Sequence, residues 1–263
     1  MAETLAEPAT RTGDECFLSD MTRIGDLPNS VKRDLQVICR RRLFSCGETV
    51  AEAGEPSEFV GIVREGILRM QKSLPDGREH VVGLLIEGDM FGLVFGGPLH
   101  FAIEAATDAE IYIFGRAAFE KIVMSSMELD RLLLLNLMNE LDRARDWMVI
   151  LSLPKIRARL SGFLIVMCAR FQKIDHLITI SRRAIRVRIP ISRPDLAHLL
   201  GTRVESISRA LHALADDGLI EILQPDLVEI RDLAALSEET GELDLGDPAS
   251  LQRLVRALRT AQG

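Results

Sequence analysis

Hydrophobic positions along the chain change period twice. Between Leu43 and Phe114, short β-prone runs at Glu58–Val63, Ile67–Gln71, His80–Leu85 and Glu110–Phe114 alternate with Gly47, Gly54, Gly66, Gly77, Gly88 and Gly92. Pro75-Asp76-Gly77 is a turn signal, because proline fixes φ and glycine accepts φ > 0. Short strands punctuated in this way predict a β-sandwich or jelly roll. From Ala117 to Leu153 the chain has no Gly or Pro and reads as a long helix, preceded by a shorter one over Ala117–Met124. On it Leu137, Leu141, Ala144, Met148 and Leu151 recur in alternating steps of four and three, the seam of a two-helix contact. That seam could cover the helix's own barrel or a second copy. A separate stripe, Leu132, Leu133 and Leu135, is available to the barrel, so the seam is assigned to a dimer.

After Pro154 the pattern mixes both periods. A helix is predicted over Ile156–Phe171, with Leu160, Phe163, Leu164 and Met167 on one face. Ile178–Ile180 and Ile185–Ile189 can pair as a hairpin. Ser192 opens a helix with Pro194 and Asp195 in its first turn. Gly201 ends that helix and Thr202 caps the next. Leu219–Leu223 and Leu227–Ile230 read as strands joined by Gln224-Pro225-Asp226. Upstream, residues 1–25 form a polar, flexible segment, followed by a short helix over Ser30–Cys39 with Ser30 as cap and Val31, Leu35 and Ile38 on one face. Downstream, Asp247-Pro248 starts an amphipathic helix with Leu251, Leu254, Val255 and Leu258 on its apolar face. It is too short to stand alone, and what it packs on stays open. The expected organisation is α+β: a flexible segment (1–25), a β-barrel (26–126), a long helix (127–153), a helix-turn-helix domain with a wing (154–236) and a C-terminal amphipathic extension (237–263).

Composition narrows the class. A 47% hydrophobic and 27% charged chain has enough apolar material for a core, which excludes wholesale disorder. No apolar run reaches the roughly 18–20 residues of a membrane helix, and the acidic start lacks a signal pattern, so a cytoplasmic, membrane-free protein is expected. The scattered Cys16, Cys39, Cys46 and Cys168 do not read as a disulfide framework. The net charge of −7 argues against a polyanion partner until it is divided: residues 1–153 carry −9, residues 154–236 carry +4 and residues 237–263 carry −2. One basic block in an acidic chain points to a polyanion partner for that block.

Within the block, Ile191 to Leu214 reads helix, tight turn, helix. Leu196, Leu199, Leu200, Ile207, Leu211 and Leu214 form the inner faces, and Arg203, Glu205, Ser206, Ser208, Arg209 and His212 face outward. With the strands that follow as a wing, this is a winged helix-turn-helix whose second helix suits a DNA major groove. Arg can bond guanine O6 and N7, and Glu can accept from cytosine N4. Thr202 and Glu205 also have the spacing of a capping box, which would give Glu205 a purely structural use. The chain has no G-x-S-x-G, phosphate loop, H-E-x-x-H or paired Cys ligands. The acid pairs Asp14/Glu15 and Asp216/Asp217 read as solvated. An enzyme is not expected.

From about residue 30 to 236 the chain resembles the CRP/FNR family of bacterial regulators. The resemblance rests on Glu87-Gly-Asp-Met-Phe-Gly92, Asp146-Trp-Met-Val-Ile-Leu151, Ile156-Arg-Ala-Arg-Leu160 and Val204-Glu-Ser-Ile-Ser-Arg209, in the family's order. It implies a cyclic-nucleotide-binding-like jelly roll, a long dimerisation helix and a winged helix-turn-helix. It also implies a homodimer on a two-fold symmetric double-stranded DNA site, with RNA polymerase as a partner through barrel loops such as 75–78. Val204, Glu205, Ser208 and Arg209 match the fumarate-and-nitrate-reduction branch, where the cyclic-AMP branch would carry Arg at 204. By that resemblance the half-site is TTGAT-like, with Glu205 and Arg209 on its G·C pair and Ser208 on the neighbouring thymine. Thr202, Arg203, Val204 and Ser206 complete the expected contact surface, with Arg182, Arg183, Arg193 and backbone amides at helix starts on phosphates.

Relatives that bind cyclic nucleotides set an Arg against the cyclic phosphate. No Arg or Lys lies within residues 91–115, so control by cyclic AMP is not expected. Oxygen-sensing relatives hold an iron–sulfur cluster on closely spaced N-terminal cysteines plus one in the barrel. Here Cys16 stands alone in the N-terminal segment, Cys39 is expected on a helix, Cys46 before the first strand and Cys168 on a later helix. Haem would have only His80 and His100 in the barrel, since His198 and His212 lie in the basic block. No cofactor or metal is assigned. A redox, oxygen or NO sensor using haem, thiols or an atypically ligated cluster is the alternative reading, with Cys16 or Cys46 as thiol candidates.

Overall fold

A computed structural model describes residues 26–73, 79–171, 177–181 and 184–241. The turn at 75–77, Arg182, Arg183, Cys16 and the expected helix at 247–260 lie outside them. The chain divides into two compact units, residues 1–72 with 82–137, and residues 73–81 with 138–263.

The first unit is a sandwich of two four-stranded sheets. One has the order β1-β8-β3-β6, from β1 (Cys39–Phe44), β8 (Ala109–Gly115), β3 (Phe59–Glu65) and β6 (Met90–Phe91). The other has the order β2-β7-β4-β5, from β2 (Thr49–Ala51), β7 (Ala102–Ala105), β4 (Leu68–Ser73) and β5 (Glu79–Leu85). Phe44, Val63, Phe91, Ile111 and Ile113 from the first sheet meet Val50, Leu68, Leu85 and Ile103 from the second in one apolar core. The outer face of the first sheet is covered as well. Val60, Ile62, Tyr112 and Phe114 pack under α1 (Asn29–Ile38), α2 (Arg116–Ser125) and the start of α3 (Met127–Ser152) through Val31, Leu35, Phe119, Val123 and Leu129. Strand side chains alternate between faces, so a strand covered on both sides needs an unbroken apolar run. β8 is buried from Ala109 to Phe114 and has one over Ile111–Phe114, while its buried Glu110 is paired with Arg41 and Arg64.

Several expected details differ. β1, β2, β6 and β7 lacked a readable pattern. α1 has Pro28 at its N-cap position and no side-chain cap, so Ser30 does not cap it. Cys39 opens β1 rather than lying on the helix, and Cys46 follows β1 rather than preceding the first strand. Cys39 is disulfide-bonded, although the sequence showed no disulfide framework.

In α3, Leu132 and Leu133 pack on the barrel helices as expected, but Leu135 is exposed. Leu137, Leu141, Ala144, Met148 and Leu151 are all exposed on the chain.

The second unit is built around α4 (Ile156–Arg170), which is buried almost continuously from Ala158 to Ala169. Against it pack α6 (Val204–Asp216) and α7 (Leu233–Glu238), with α5 (Arg193–Leu199) beside α6. Four short strands form the sheet β11-β12-β10-β9, from β9 (Ile178–Ile180), β10 (Ile185–Arg188), β11 (Ile220–Gln224) and β12 (Leu227–Ile230). α7 runs past residue 236, where the domain was expected to end. Asp232 caps it by accepting from the Ala235 N–H at 3.0 Å, and Leu233 and Leu236 are buried.

Candidate nucleic-acid interface

α5 starts where its cap chemistry requires. The Ser192 hydroxyl accepts from the Asp195 N–H at 3.2 Å and donates to the Asp195 carboxylate at 2.7 Å. The helix stops at Leu200, and Gly201 carries the turn at φ +63°. That value lies in the left-handed region that a side chain disfavours. The Thr202 N–H is held by the Ala197 carbonyl at 2.8 Å, which keeps Thr202 in the turn. α6 therefore begins one residue later than the sequence suggested. Its N-cap is Arg203, with no side-chain cap bond, so Thr202 is not the cap and no capping box forms.

That leaves Glu205 free for other use. Its side chain is exposed and makes no hydrogen bond or ion pair among the described residues. Ile207, Ala210, Leu211 and Leu214 turn into the core, as do Leu196, Leu199 and Leu200 of α5. The 3.6-residue period puts Arg203, Val204, Glu205, Arg209 and His212 on the solvent side, with Thr202, Ser206 and Ser208 half-buried between them. Arg209 Nη2 reaches toward the Ser206 hydroxyl at 3.5 Å, and His212 Nδ1 lies 2.8 Å from the Ser208 carbonyl. His198, Gly201, Thr202, Arg203, Ser206 and Arg209 line an open depression at the start of the helix. The surface offers cationic donors, hydroxyls and one carboxylate acceptor beside the positive end of a helix dipole. Such a surface suits a ligand carrying both phosphates and base edges.

Arg193 points elsewhere. Its Nη2 donates to the Pro225 carbonyl in the wing turn, and Nη1 is buried with no hydrogen-bond partner among the described residues. Burial lowers its pKa, an effect Asp226 partly offsets. It ties α5 to the wing. The wing sheet's outer face is a ladder of ion pairs: Arg186 with Glu229 at 2.9 Å, Arg188 with Asp226, and Arg231 with both Glu221 and Glu229.

Two arginines of α4 were quoted in the sequence only as part of a motif, and their geometry shows more. Arg157 bonds Asp217, just past the end of α6, and Glu239 at 2.7 Å, and reaches the Ala213 carbonyl at 3.4 Å. Asp217 is thus paired rather than merely solvated. Arg159 Nε donates to the Leu153 carbonyl at 2.7 Å and its Nη1 to the Leu200 carbonyl at 3.0 Å. Only a fold can show that residues so far apart in sequence share one guanidinium.

The barrel core packs around Phe91. The Phe91 ring stands over Gly61, where a Cβ would come within 2.2 Å of its ζ carbon. Phe59 meets the same ring edge-on at 6.1 Å. Leu68 and Met70 face the core, so Arg69 between them faces out, where it pairs with Glu104. In the Glu87–Gly92 motif the buried Asp89 carboxylate accepts from the Ile86 N–H of its own turn at 3.0 Å. Among the described residues no three His, Cys, Asp or Glu side chains group as a metal site. Cys46 is exposed and donates to the Ala106 carbonyl at 3.2 Å, and Cys168 is buried.

Comparison with known proteins covers both units. The profile of the cyclic nucleotide-binding domain matches residues 41–126, and that of the Crp-like helix-turn-helix domain matches residues 158–239. The transcriptional activator protein FnrL of Cereibacter sphaeroides is 30% identical over 208 residues, 79% of this chain and 83% of that one. The nitrogen fixation regulation protein FixK of Bradyrhizobium diazoefficiens is 28% identical over 253 residues, 96% of this chain and 98% of its own. The solved structure of FixK2 from Bradyrhizobium japonicum superposes with a TM-score of 0.66 at 26% identity, over 76% of this chain and 96% of that one. The helix-turn-helix with its exposed face, joined to a cyclic-nucleotide-binding-type barrel, is the architecture of these regulators, and the chain belongs to the CRP/FNR family of transcription regulators, in its FNR/FixK branch.

Proposed function

We propose that the chain acts as a homodimer that reads a TTGAT-like inverted repeat in double-stranded DNA through Glu205, Ser208 and Arg209, without control by cyclic AMP. The observation that carries this reading is the solvent face of α6. Glu205 makes no capping bond, hydrogen bond or ion pair there among the described residues, and Arg209 lies one turn further along the same face. A carboxylate and a guanidinium so placed supply an acceptor for cytosine N4 and a bidentate donor for guanine. Arg203 and the free N–H groups at the start of α6 are the phosphate contacts. Arg193 serves the wing. The exposed seam of Leu137, Leu141, Ala144, Met148 and Leu151 is the homodimer interface, and RNA polymerase is the expected protein partner.

Packing and charge support independence from cyclic AMP. A buried cyclic phosphate needs a cation. The stretch that would cradle it has none, and Phe91, Phe59 and their neighbours occupy the space between the sheets. The residues present do not fit the nucleotide.

Fluorescence anisotropy with a labelled inverted repeat tests the assignment, with and without cyclic AMP. Tight binding that cyclic AMP does not change is expected. The double variant Glu205→Ala/Arg209→Ala should retain only the non-specific, salt-sensitive part of the affinity. Retained preference for the repeat in that variant would sink the recognition-helix assignment. The disulfide at Cys39 favours a second reading, a thiol-based redox regulator of the same family. An affinity for the repeat that shifts when the protein is reduced would support it, and equal affinities would remove it.

A further inference from the structure

Three elements of the second unit converge on one side chain. Leu153 directly follows the last residue of the long helix α3, and Leu200 is the C-cap of α5. Carbonyls at helix C-termini lack intrahelical donors and carry the negative end of the dipole. Arg159, in the first turn of α4, donates to both: Nε to Leu153 at 2.7 Å and Nη1 to Leu200 at 3.0 Å. The turn residue Gly201 lies against the same group. A Cβ there would stand 3.5 Å from Arg159 Nη1 and 3.9 Å from a Leu151 methyl group. The turn that launches the recognition helix therefore touches both the guanidinium and the last turn of α3.

We infer that Arg159 is a positioning residue for DNA recognition. By bonding the end of the long helix and the helix-turn-helix turn at once, it makes α3 and α6 move as one piece. The inference rests on the homodimeric DNA-binding reading above. Each recognition helix is placed through its own long helix, so the spacing between the two is only as well defined as this joint. Slack in the joint lowers the effective concentration of the second helix at the second half-site while leaving the contacts made at one half-site intact. The planar guanidinium fork can serve two carbonyls in different directions, whereas an ammonium is a single point donor at this reach.

The test uses the full chain with Arg159→Lys and Arg159→Ala. Affinity is measured for the inverted repeat, for the repeat with one half-site scrambled, and for the repeat with one base pair added to its spacer. Trp147, the chain's one tryptophan, reports on the joint itself, because its ring lies 6.1 Å from that of Phe163 across α3 and α4. We expect Arg159→Lys to lose about tenfold or more on the intact repeat and less than about threefold on the single half-site. We also expect it to discriminate less against the altered spacer and to show Trp147 more open to acrylamide quenching. Should Arg159→Ala fail to fold, the lysine variant carries the comparison. Wild-type-like binding by the lysine variant, or equal losses on the repeat and the single half-site, would overturn the inference. Wild-type protein with no preference for the repeat would instead remove the DNA reading beneath it.

Discussion

At the scale of single residues, the cysteines separate by environment. Burial in α4 pushes the Cys168 thiol up to about 12, while Cys46 sits exposed in the turn after β1. Thiolate is the reactive form, so Cys168 stays protonated at pH 8, and it is also shielded from reagent. Brief treatment of the native protein with iodoacetamide should label Cys46 and spare Cys168, with both labelled in denaturant. Peptide mass spectrometry reads the ratio, and rapid native labelling of Cys168 would contradict the packing of α4. Sequence could not separate these two thiols, since each stands alone among apolar or polar neighbours without a ligand pattern. It also could not reveal the bond at Cys39, because pairing depends on which distant segments meet. The exposed face of α6 was legible, because a helical period assigns Arg203, Glu205 and Arg209 to one side once the inner leucines are known. The cap was not. Thr202 has the right chemistry, but the turn holds its N–H on Ala197, and the helix starts one residue too late for a capping box.

At the scale of elements, apolar density rather than length decided what was readable: β9 was read from three residues, Ile178–Ile180, whereas β1, with six, was not. β8 and α4 are covered on both sides and announce themselves by apolar density. β6 has two residues and β2 three, too few to show a period. β1 contains Arg40, Arg41 and Arg42, which mask its strand character. Its pairing with β8 along Cys39–Phe44 and the ion pair of Arg41 with the buried Glu110 hold it in the sheet. The close approach of two strands also lay beyond the sequence. Gly61 pairs with Phe91 in the β3–β6 ladder, and the ring occupies the space a side chain at 61 would need. Gly61→Ala should therefore destabilise the folded chain by about 1–3 kcal/mol, the usual range for overpacking. In a Phe91→Leu background the same substitution should cost measurably less, because the clashing atoms are gone. Urea denaturation of the four proteins in the cycle reads the coupling. Equal costs in both backgrounds would mean that the ring does not set the requirement for glycine.

At the scale of the whole molecule, the proposed function divides the work by charge between an acidic barrel segment and a basic helix-turn-helix segment, and assigns pairing to the long helix. A chain of net charge −7 approaches DNA against repulsion unless its basic block leads. One helix-turn-helix reads only a few base pairs, so selective binding requires two on one duplex. The seam on α3 is the surface that can bring them together. Leu137 is 62% exposed, Leu141 52% and Met148 70%, an apolar cost that a lone chain does not offset and a parallel partner helix removes. The stripe was legible in the sequence because its alternating steps of four and three persist over four turns. The exposure of Leu135 was not, because it has the same chemistry as Leu132 and Leu133 and was expected to be covered with them. Leu141→Glu combined with Met148→Glu places like charges across the symmetric seam, which disfavours pairing without touching the barrel core or α4. The double variant should sediment as a monomer in analytical ultracentrifugation at concentrations where the native chain is a dimer, with an unchanged helical circular-dichroism signal. Its affinity for the inverted repeat should fall to that for a single half-site, a loss of about 100-fold or more if the two halves are linked with ordinary effective concentration. A variant that remains dimeric would move the interface off the α3 seam. A monomer that still prefers the intact repeat would show that α3 does not set the spacing.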